Sequence, residues 1–263
     1  MTSAVDRWRQ SLEAWALPDD ILAAAEESPW IHPPALFQVP QVIESTPSHD
    51  RAREALVEGG TVLDVGCGGG VAAFALTPPA THVIGVDHQA DMLKMFEANA
   101  GTRGVACQTV EGFWPAVADV TPRADVVTAH HVVYNVGDIA PFLRALGDHA
   151  RARVVLEMPD HHPLSSMSGA WRHFWQLERP EGPTPSDLID VLGELGVDAH
   201  REEWSGAIRA ETNVDQAAHF MRIRLCLPAS REDEVRDYFA TQPKSSRRGL
   251  STIWWDTSRL AEG

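Results

Sequence analysis

The sequence has few cysteines and a deficit of positive charge. The three cysteines, Cys67, Cys107 and Cys226, are an odd number at wide spacings, which matches neither a disulfide framework nor a metal knuckle. We therefore expect the protein to reside in a reducing compartment. Lysine and arginine total 22 against 37 aspartates and glutamates, which gives a formal net charge of −15. That charge opposes binding to nucleic acid or to an anionic membrane surface.

Long hydrophobic runs are also missing. No apolar segment approaches the roughly 20 residues that a membrane-spanning helix needs, and the N-terminus, MTSAVDRWRQ, carries charges but no apolar core. These absences predict a soluble, cytoplasmic protein whose partners are small molecules, with no nucleic acid and no membrane among them; the oligomeric state stays open. A chain of 263 residues can bury a large core, and we expect one elaborated domain.

Short β-branched runs alternate with helical stretches between residues 59 and 158. Continuously apolar strands separated by helices indicate a parallel sheet that is covered on both faces. Strands are predicted over Thr61 to Val65, His82 to Asp87, Val105 to Val110, Ala124 to Ala129 and Arg153 to Met158. This alternating stretch is predicted to be the ligand-binding core of the protein.

The flanking segments are predicted to be additions to this core within a single domain, 1–263. Residues 1–58 are expected to form a helical N-terminal cap. Residues 159–186 are rich in proline, histidine and tryptophan and too long for a plain connection, so we interpret them as a lid insertion. Residues 187–263 are expected to complete the sheet, with a helical insertion at 214–241.

Three helix boundaries follow from capping chemistry. Thr46 is predicted to cap a helix that begins at Pro47, because a hydroxyl followed by proline is typical of helix starts. Asp138 is placed to cap the helix in DIAPFLRALGDHA in the same way. A further helix is predicted over Ser186 to Leu195, and Gly196 closes it.

The stretch TVLDVGCGGG, Thr61 to Gly70, puts four glycines into its last five residues, directly behind the first strand. A glycine turn between a parallel strand and a helix is a docking place for ligands. A dinucleotide fingerprint needs glycine or alanine where counting from Gly66 and Gly68 gives Val71. Asp64 would repel a pyrophosphate, whereas it suits a ligand with a cationic amino group. The spacing therefore favours a ligand without phosphate.

The segments VLDVGCGGG and VIGVDHQADMLKMFEANA resemble the first two motifs of the class I S-adenosylmethionine-dependent methyltransferases. The resemblance covers Arg51 to Met158. It implies a Rossmann-like α/β fold with a mostly parallel seven-stranded sheet, helices on both faces and an antiparallel last strand, for which STIWWDTS is the candidate. It also implies S-adenosylmethionine as cofactor and methyl transfer to an oxygen or nitrogen of a small-molecule acceptor.

The resemblance also implies which residues hold the cofactor. The glycine loop would lie under its methionine part together with Asp64, for which a purely structural or capping role is equally open. Asp87 would hold the ribose hydroxyls, and His88 would lie against the adenine. Phe113 stands where family members often have an acid, so Glu111 or backbone groups would meet the adenine amino group. The full predicted cofactor set is Asp64, Gly66, Cys67, Gly68, Gly70, Asp87, His88, Met92, Glu111, Gly112, Phe113, Trp114 and His130.

Histidines follow the fourth and fifth predicted strands. The first pair is His130 and His131 in AHHVVYN, and the second is His161 and His162 in MPDHHP. Histidine suits a general base for a hydroxyl acceptor, so we predict catalytic roles for His131, His161 and His162. Each could instead satisfy backbone groups or pack against an aromatic ring. With Asp160 they have metal-ligand chemistry, but the spacing gives a metal little support, and none is predicted.

Three other interpretations stay open. The basic run KSSRRG, Lys244 to Gly249, would serve RNA methylation, although a solvated loop accounts for it more simply. The chain could also bind the cofactor without catalysis, as a sensor or assembly protein, and by fold alone it could be a nicotinamide dehydrogenase. The aromatic residues near Trp171 and Phe174 would either line an acceptor pocket or pack the lid onto the core.

Overall fold

One mixed sheet organises the protein. The computed structural model describes residues 2–30, 37–208, 214–243 and 245–257. Within these residues the sheet has seven strands in the order β3-β2-β1-β4-β5-β7-β6. Strands β1 to β5 are parallel, and β7 runs antiparallel to both β5 and β6, as predicted. The strands are β1 Thr61–Val65, β2 His82–Asp87, β3 Ala106–Glu111, β4 Ala124–His130, β5 Ala150–Pro159, β6 His200–Ala207 and β7 Arg247–Asp256.

Helices cover both faces of the sheet. Adjacent residues of β1, Val62 and Leu63, belong to different hydrophobic clusters, because successive strand residues point to opposite faces. None of the described helices combines the length and apolar character needed to cross a bilayer. The helices are α1 Ala4–Glu13, α2 Asp19–Ala24, α3 Pro47–Arg53, α4 Val71–Phe74, α5 Ala90–Arg103, α6 Ile139–His149, α7 Ser168–Trp175, α8 Pro185–Glu194, α9 Val214–Arg224 and α10 Glu232–Thr241.

Side-chain capping hydrogen bonds are present at two of the predicted helix starts and absent at the third. Thr46 caps α3 in a reciprocal capping box with His49, so that prediction is confirmed. Thr184 caps α8 in the same manner, slightly before the predicted start. Asp138 occupies the cap position of α6, but its side chain makes no capping hydrogen bond, so the predicted role is wrong. Its carboxylate instead lies 3.7 Å from Arg9.

A third hydrophobic cluster joins segments that are far apart in sequence. It contains residues of α2, α7, α9 and α10. Trp171 is buried in this cluster and Phe174 packs against it, which favours the packing role over an open pocket for these two rings. The N-terminal helices, the segment after β5 and the C-terminal helical pair therefore form one layer.

Arg222 is buried and forms ion pairs within this layer. Its side chain is only 2% exposed. Its Nη2 lies 2.6 Å from Glu27 and its Nε 3.2 Å from Glu232, while Nη1 donates to the carbonyl of Leu227 at 2.8 Å. A buried guanidinium is costly unless it is paired in this way. Arg222 thus ties α9 to α10 and to the segment after α2.

Replacing Arg222 with alanine should lower the free energy of unfolding by about 2 kcal/mol, because the charge-assisted hydrogen bonds across the layer are lost. Urea denaturation measures the change. Arg7→Ala is the control, since Arg7 forms an exposed ion pair with Asp190 and should cost about 0.5 kcal/mol or less. Equal losses in the two variants would contradict the assignment.

Asp64 is a second buried charge-bearing group, in the middle of the sheet. Its side chain is 2% exposed. The hydroxyl of Thr128 donates to Oδ1 at 3.0 Å, and the backbone N–H of Ala73, in the first turn of α4, donates to Oδ2 at 3.3 Å. Burial raises the pKa of Asp64 to about 7. These hydrogen bonds link β1 to β4 and α4.

The raised pKa predicts how stability depends on pH. The folded protein keeps a proton on Asp64 that the unfolded chain releases above about pH 4, so this contribution to stability is lost between about pH 4 and 7. Asp64→Asn imitates the neutral acid, and we expect its stability advantage over the wild type to be about 2.5 kcal/mol larger at pH 8 than at pH 5. Urea unfolding at both pH values measures this difference.

Asp125→Asn is the matched control. The backbone N–H and the hydroxyl of Thr61 both donate to Asp125 at 2.8 Å. Burial alone would raise the pKa of Asp125, but these hydrogen bonds and Arg151 outweigh it and leave the pKa lowered. The control should therefore lose stability at pH 8. A loss of stability in Asp64→Asn at pH 8 would show that its carboxylate is ionised and needed.

Candidate functional site

The glycine loop lies between β1 and α4. Gly66, Gly68 and Gly70 have φ angles of +71°, +50° and +96°, which glycine adopts without strain. A Cβ on Gly66 would lie 2.5 Å from the side chain of Val132. The loop therefore needs glycine for both its turn and its packing.

Asp87, at the end of β2, contacts this loop directly. Its Oδ2 accepts the backbone N–H of Gly68 at 3.0 Å, and its Oδ1 accepts that of Gln89 at 3.0 Å. The predicted pairing of the loop with this carboxylate is thus present as a hydrogen bond. A carboxylate accepts hydrogen bonds only, and it retains further lone pairs for ligand hydroxyls.

An aromatic pair lies beside Asp87. The rings of His88 and Phe113 stack with centroids 4.7 Å apart, and Phe113 is 69% exposed. The backbone N–H of Gly112 donates to the carbonyl of Asp87 at 2.9 Å, which joins the two loops. Four predicted residues thus come together at the ends of β2 and β3.

The other predicted cofactor residues differ in where their side chains lie. Trp114 packs against the hydrophobic core and donates its ring N–H to the carbonyl of Phe142 at 3.3 Å. Met92 and Cys67 are buried, and Glu111 is exposed beside Asp87 in the sheet register. The side chain of Trp114 is therefore part of the core beneath the loop.

An N-terminal segment covers the glycine loop. A Cβ on Gly68 would lie 3.1 Å from the ring of Phe37, and one on Gly69 would meet the carbonyl of Phe37 and, at 3.1 Å, Val39. The sequence patterns did not place Phe37 on this loop. The cover is thus a feature that only the structure shows.

His131 and Glu157 form a hydrogen-bonded pair at the ends of β4 and β5. The Nε2 of His131 lies 3.0 Å from Oε1 of Glu157, and the backbone N–H of His131 donates to the Glu157 carbonyl at 2.8 Å. His131 has a φ of +60°, unusual for a residue with a side chain. Its Nδ1 is buried and has no hydrogen-bond partner among the described residues.

Glu157 was not predicted as a site residue, although a carboxylate within the apolar run RVVLEMP was the available signal. Burial alone would raise the pKa of Glu157, but the hydrogen bond from His131 and the charges of His130 and His131 outweigh burial and hold the pKa well below its ordinary range. A hydrogen bond from Arg248 to Nε2 of His131 would need that nitrogen as acceptor, whereas a hydrogen bond to the Glu157 carboxylate, which only accepts, needs the hydrogen on Nε2. With the hydrogen on Nε2, Nδ1 of the neutral ring is an acceptor.

His130 lies deeper than His131. Burial lowers its pKa to about 3, so the ring is neutral. It stacks on the ring of His49 with centroids 5.7 Å apart, and its Nε2 has no hydrogen-bond partner in the described part of the chain. Each of the two adjacent histidines thus has one buried ring nitrogen, at the end of β4, without a hydrogen-bond partner among the described residues.

The two histidines after β5 are placed differently from each other. His162 is buried, its Nδ1 accepts the backbone N–H of Leu164 at 3.3 Å, and its ring stacks on Trp15 at 4.2 Å. Burial lowers its pKa to about 4. Tyr134 meets the edge of His162 at 5.6 Å and lies 6.5 Å from His131. His161 is exposed.

The basic run KSSRRG is not the solvated loop that was expected. Lys244 lies outside the described residues. Arg247 to Gly249 pair with Ser205 to Ala207 of β6 as the first residues of β7, so the loop interpretation is wrong there. The guanidinium of Arg248 lies 3.3 Å from Nε2 of His131. Within the described ranges, no group of three or more histidines, cysteines or acids could hold a metal ion.

Several known proteins resemble the chain over this region. Residues 43–195 match the family described as "Methyltransferase domain". A ubiquinone biosynthesis O-methyltransferase of Azorhizobium caulinodans is 32% identical over 45% of this chain and 47% of its own length. A ribosomal protein L11 methyltransferase of Thermus thermophilus is 31% identical over 63% of this chain and 69% of its own length.

Solved structures share the fold at low identity. The YcgJ protein of Bacillus subtilis has a TM-score of 0.53 at 18% identity, over 80% of this chain and 97% of its own. The chain spans less than half the length of the ubiquinone biosynthesis relative of Azorhizobium. The family match, by contrast, covers more than half of the 263 residues. The chain belongs to the methyltransferase domain family, and its fold is the one that the resemblance to the class I S-adenosylmethionine-dependent methyltransferases implies.

Proposed function

We propose that the enzyme methylates a hydroxyl oxygen of a small-molecule acceptor, with His131 as general base and Glu157 as the residue that orients it. The observation that carries this proposal is the buried, bare Nδ1 of His131, opposite an Nε2 that is 3.0 Å from Glu157. A nitrogen acceptor already has a lone pair, so it needs such a base less. The arrangement therefore supports oxygen as the methylated atom.

The residues around the glycine loop fit S-adenosylmethionine. When bound, this cofactor supplies a methyl group activated by its sulfonium. The loop offers backbone without side chains, Asp87 has acceptor capacity for ribose hydroxyls, and the rings of His88 and Phe113 offer apolar faces for adenine. We propose a structural role for Asp64, because both of its oxygens already accept hydrogen bonds.

The proton of the acceptor is handled by His131. When the hydroxyl oxygen gains the methyl group and the sulfonium sulfur loses it to become a neutral thioether, Nδ1 would take the proton that the oxygen releases. The negative charge of Glu157, whose side chain is 8% exposed, stabilises the imidazolium that results. Glu157 also holds the ring orientation through its hydrogen bond to Nε2. This division of labour assigns Glu157 a positioning role.

The remaining predicted groups support the acceptor side. We propose that His162 positions Tyr134 and Trp15, because its ring contacts both and its Nδ1 is already an acceptor. We also propose that segments 1–58, 159–186 and 214–241 together enclose the acceptor. A base nitrogen buried under such a layer favours a small molecule over a protein substrate of the L11 type.

Cofactor binding tests the loop assignment. Asp87→Ala should weaken binding of S-adenosylhomocysteine more than tenfold, about 1.4 kcal/mol, because the ribose acceptor is lost. Isothermal titration calorimetry measures the affinity. Asp91→Ala is the control, since Asp91 carries the same charge on the exposed first turn of α5 and should leave affinity unchanged. If the wild type shows no heat at millimolar ligand, the cofactor assignment fails.

Turnover tests the base. His131→Asn tolerates the left-handed backbone and should lower methyl transfer from labelled S-adenosylmethionine to a metabolite extract by about 10²-fold or more. Its affinity for S-adenosylhomocysteine should stay near that of the wild type. We propose that His161, which the sequence predicted to be catalytic, takes no part in the transfer because it is exposed, so His161→Asn should retain the wild-type rate.

Glu157→Gln completes the set of variants. It should reduce the rate less than His131→Asn and change its pH profile, because the ring loses an anionic partner while its hydrogen bond survives. A loss of cofactor affinity in His131→Asn would place that ring in the cofactor site instead. An unchanged rate would remove it from catalysis.

A further inference from the structure

A small cavity lies within the helical layer, away from the glycine loop. Its volume is about 20 Å³, enough for roughly one water-sized group. Apolar side chains form most of its wall, among them Met167 and Trp171, and Trp30 lies at its edge with 54% of its surface exposed. Two arginines, Arg179 and Arg224, also line it. Two cations beside one apolar cavity are unexpected in a chain of net charge −15.

Arg179 is held by rings and carbonyls. Its guanidinium lies 5.1 Å from the ring centroid of Trp15 and 5.5 Å from that of Trp171. Nη1 donates to the carbonyl of Ala16 at 3.2 Å and Nη2 to that of Trp15, while Nε is buried and has no hydrogen-bond partner within the described residues. Burial lowers the pKa of Arg179. The group is therefore a cation whose charge the described residues leave uncompensated.

Arg222 has carboxylate partners, and Arg179 has none among the described residues. Arg222 is deeper in the same layer and has carboxylates of Glu27 and Glu232 within 3.2 Å. The described residues give Arg179 no such ion pair. Arg224, the last residue of α9, adds a second guanidinium to the cavity, and burial lowers its pKa as well. An anionic group in the cavity would gain a charge-assisted hydrogen bond from Arg179.

The cavity connects to the proposed base through a continuous row of rings. His131 lies 6.5 Å from Tyr134, which lies 5.6 Å from His162. His162 stacks on Trp15 at 4.2 Å, and the guanidinium of Arg179 lies over the ring of Trp15. The cavity is thus on the acceptor side of the site, several ring widths from Nδ1 of His131.

We propose that this cavity binds the carboxylate of the methyl acceptor, so that the substrate is an organic acid with an aromatic or otherwise apolar body. The proposal rests on the proposed function, because it takes the His131 side of the molecule as the acceptor side. The cavity, with room for roughly one water-sized group, would hold one oxygen of the carboxylate, and the apolar body would extend from it towards His131. Arg179 and Arg224 are then specificity-determining residues.

Paired probes test the proposal on the full chain. Benzoate and benzamide have the same shape and differ in charge. Their affinities for the wild type are measured by quenching of tryptophan fluorescence. We expect benzoate to bind at least tenfold more tightly, about 1.4 kcal/mol, and this preference to shrink at high salt. Equal affinities, or no benzoate binding up to about 10 mM, would overturn the proposal.

Three variants locate the preference. Arg179→Met and Arg224→Met should each reduce the benzoate-to-benzamide ratio severalfold. Arg172→Met should keep it, because Arg172 is an exposed arginine of α7 paired with Glu178. Arg179→Lys retains the charge and should keep part of the preference, which covers the case that Arg179→Met fails to fold. An undiminished ratio in both cavity variants, or an equal loss in Arg172→Met, would overturn the assignment.

Calorimetry with S-adenosylhomocysteine on the same samples separates this proposal from the proposed function. Tight binding of S-adenosylhomocysteine without a benzoate preference removes only the carboxylate subsite. A benzoate preference that depends on Arg179, in a protein that does not bind S-adenosylhomocysteine, leaves the anion site standing and removes the cofactor assignment.

Discussion

The structure depends on how it compensates the carboxylates that it buries at the carboxyl end of its sheet. Each of three strands ends near one such group, and each group has different partners. Asp64 meets only neutral donors and its pKa rises to about 7. Asp87 accepts two backbone N–H groups, and Glu157, despite its burial, has a lowered pKa because it accepts a hydrogen bond from His131. The three acids thus differ in their partners, and these differences underlie the separate roles proposed for them.

Most of the strands could be predicted from local sequence, but the starts of two strands could not. The bounds of β1 and β2 match the prediction because apolar runs there stop at glycine or at Asp87. Strands β5 and β7 start earlier than predicted, at Ala150 and Arg247. Their first residues are polar or small and join the sheet through pairing with neighbours distant in sequence. Strand pairing therefore sets the starts of β5 and β7, which the local β-propensity of their residues does not predict.

The candidate site divides in the same way. The glycine loop and Asp87 are neighbours through a short βαβ unit, so motif spacing was enough to predict that they lie together. Glu157 and Arg179 were not predicted, because their importance comes from partners on other strands and helices. His162 was predicted as catalytic, yet its ring is engaged by Trp15 and Leu164. The role of a histidine depends on which ring nitrogen has no hydrogen-bond partner. A sequence does not show this.

The segment at Phe37 and Val39 has a consequence for the catalytic cycle. It lies over Gly68 and Gly69, on the backbone where the spent nucleoside would rest after transfer. Departure of that product then requires the segment to lift, and such opening motions commonly govern turnover in enzymes with covered sites. The dwell time of the demethylated product, rather than the formation of the new bond, would then set the pace of this enzyme.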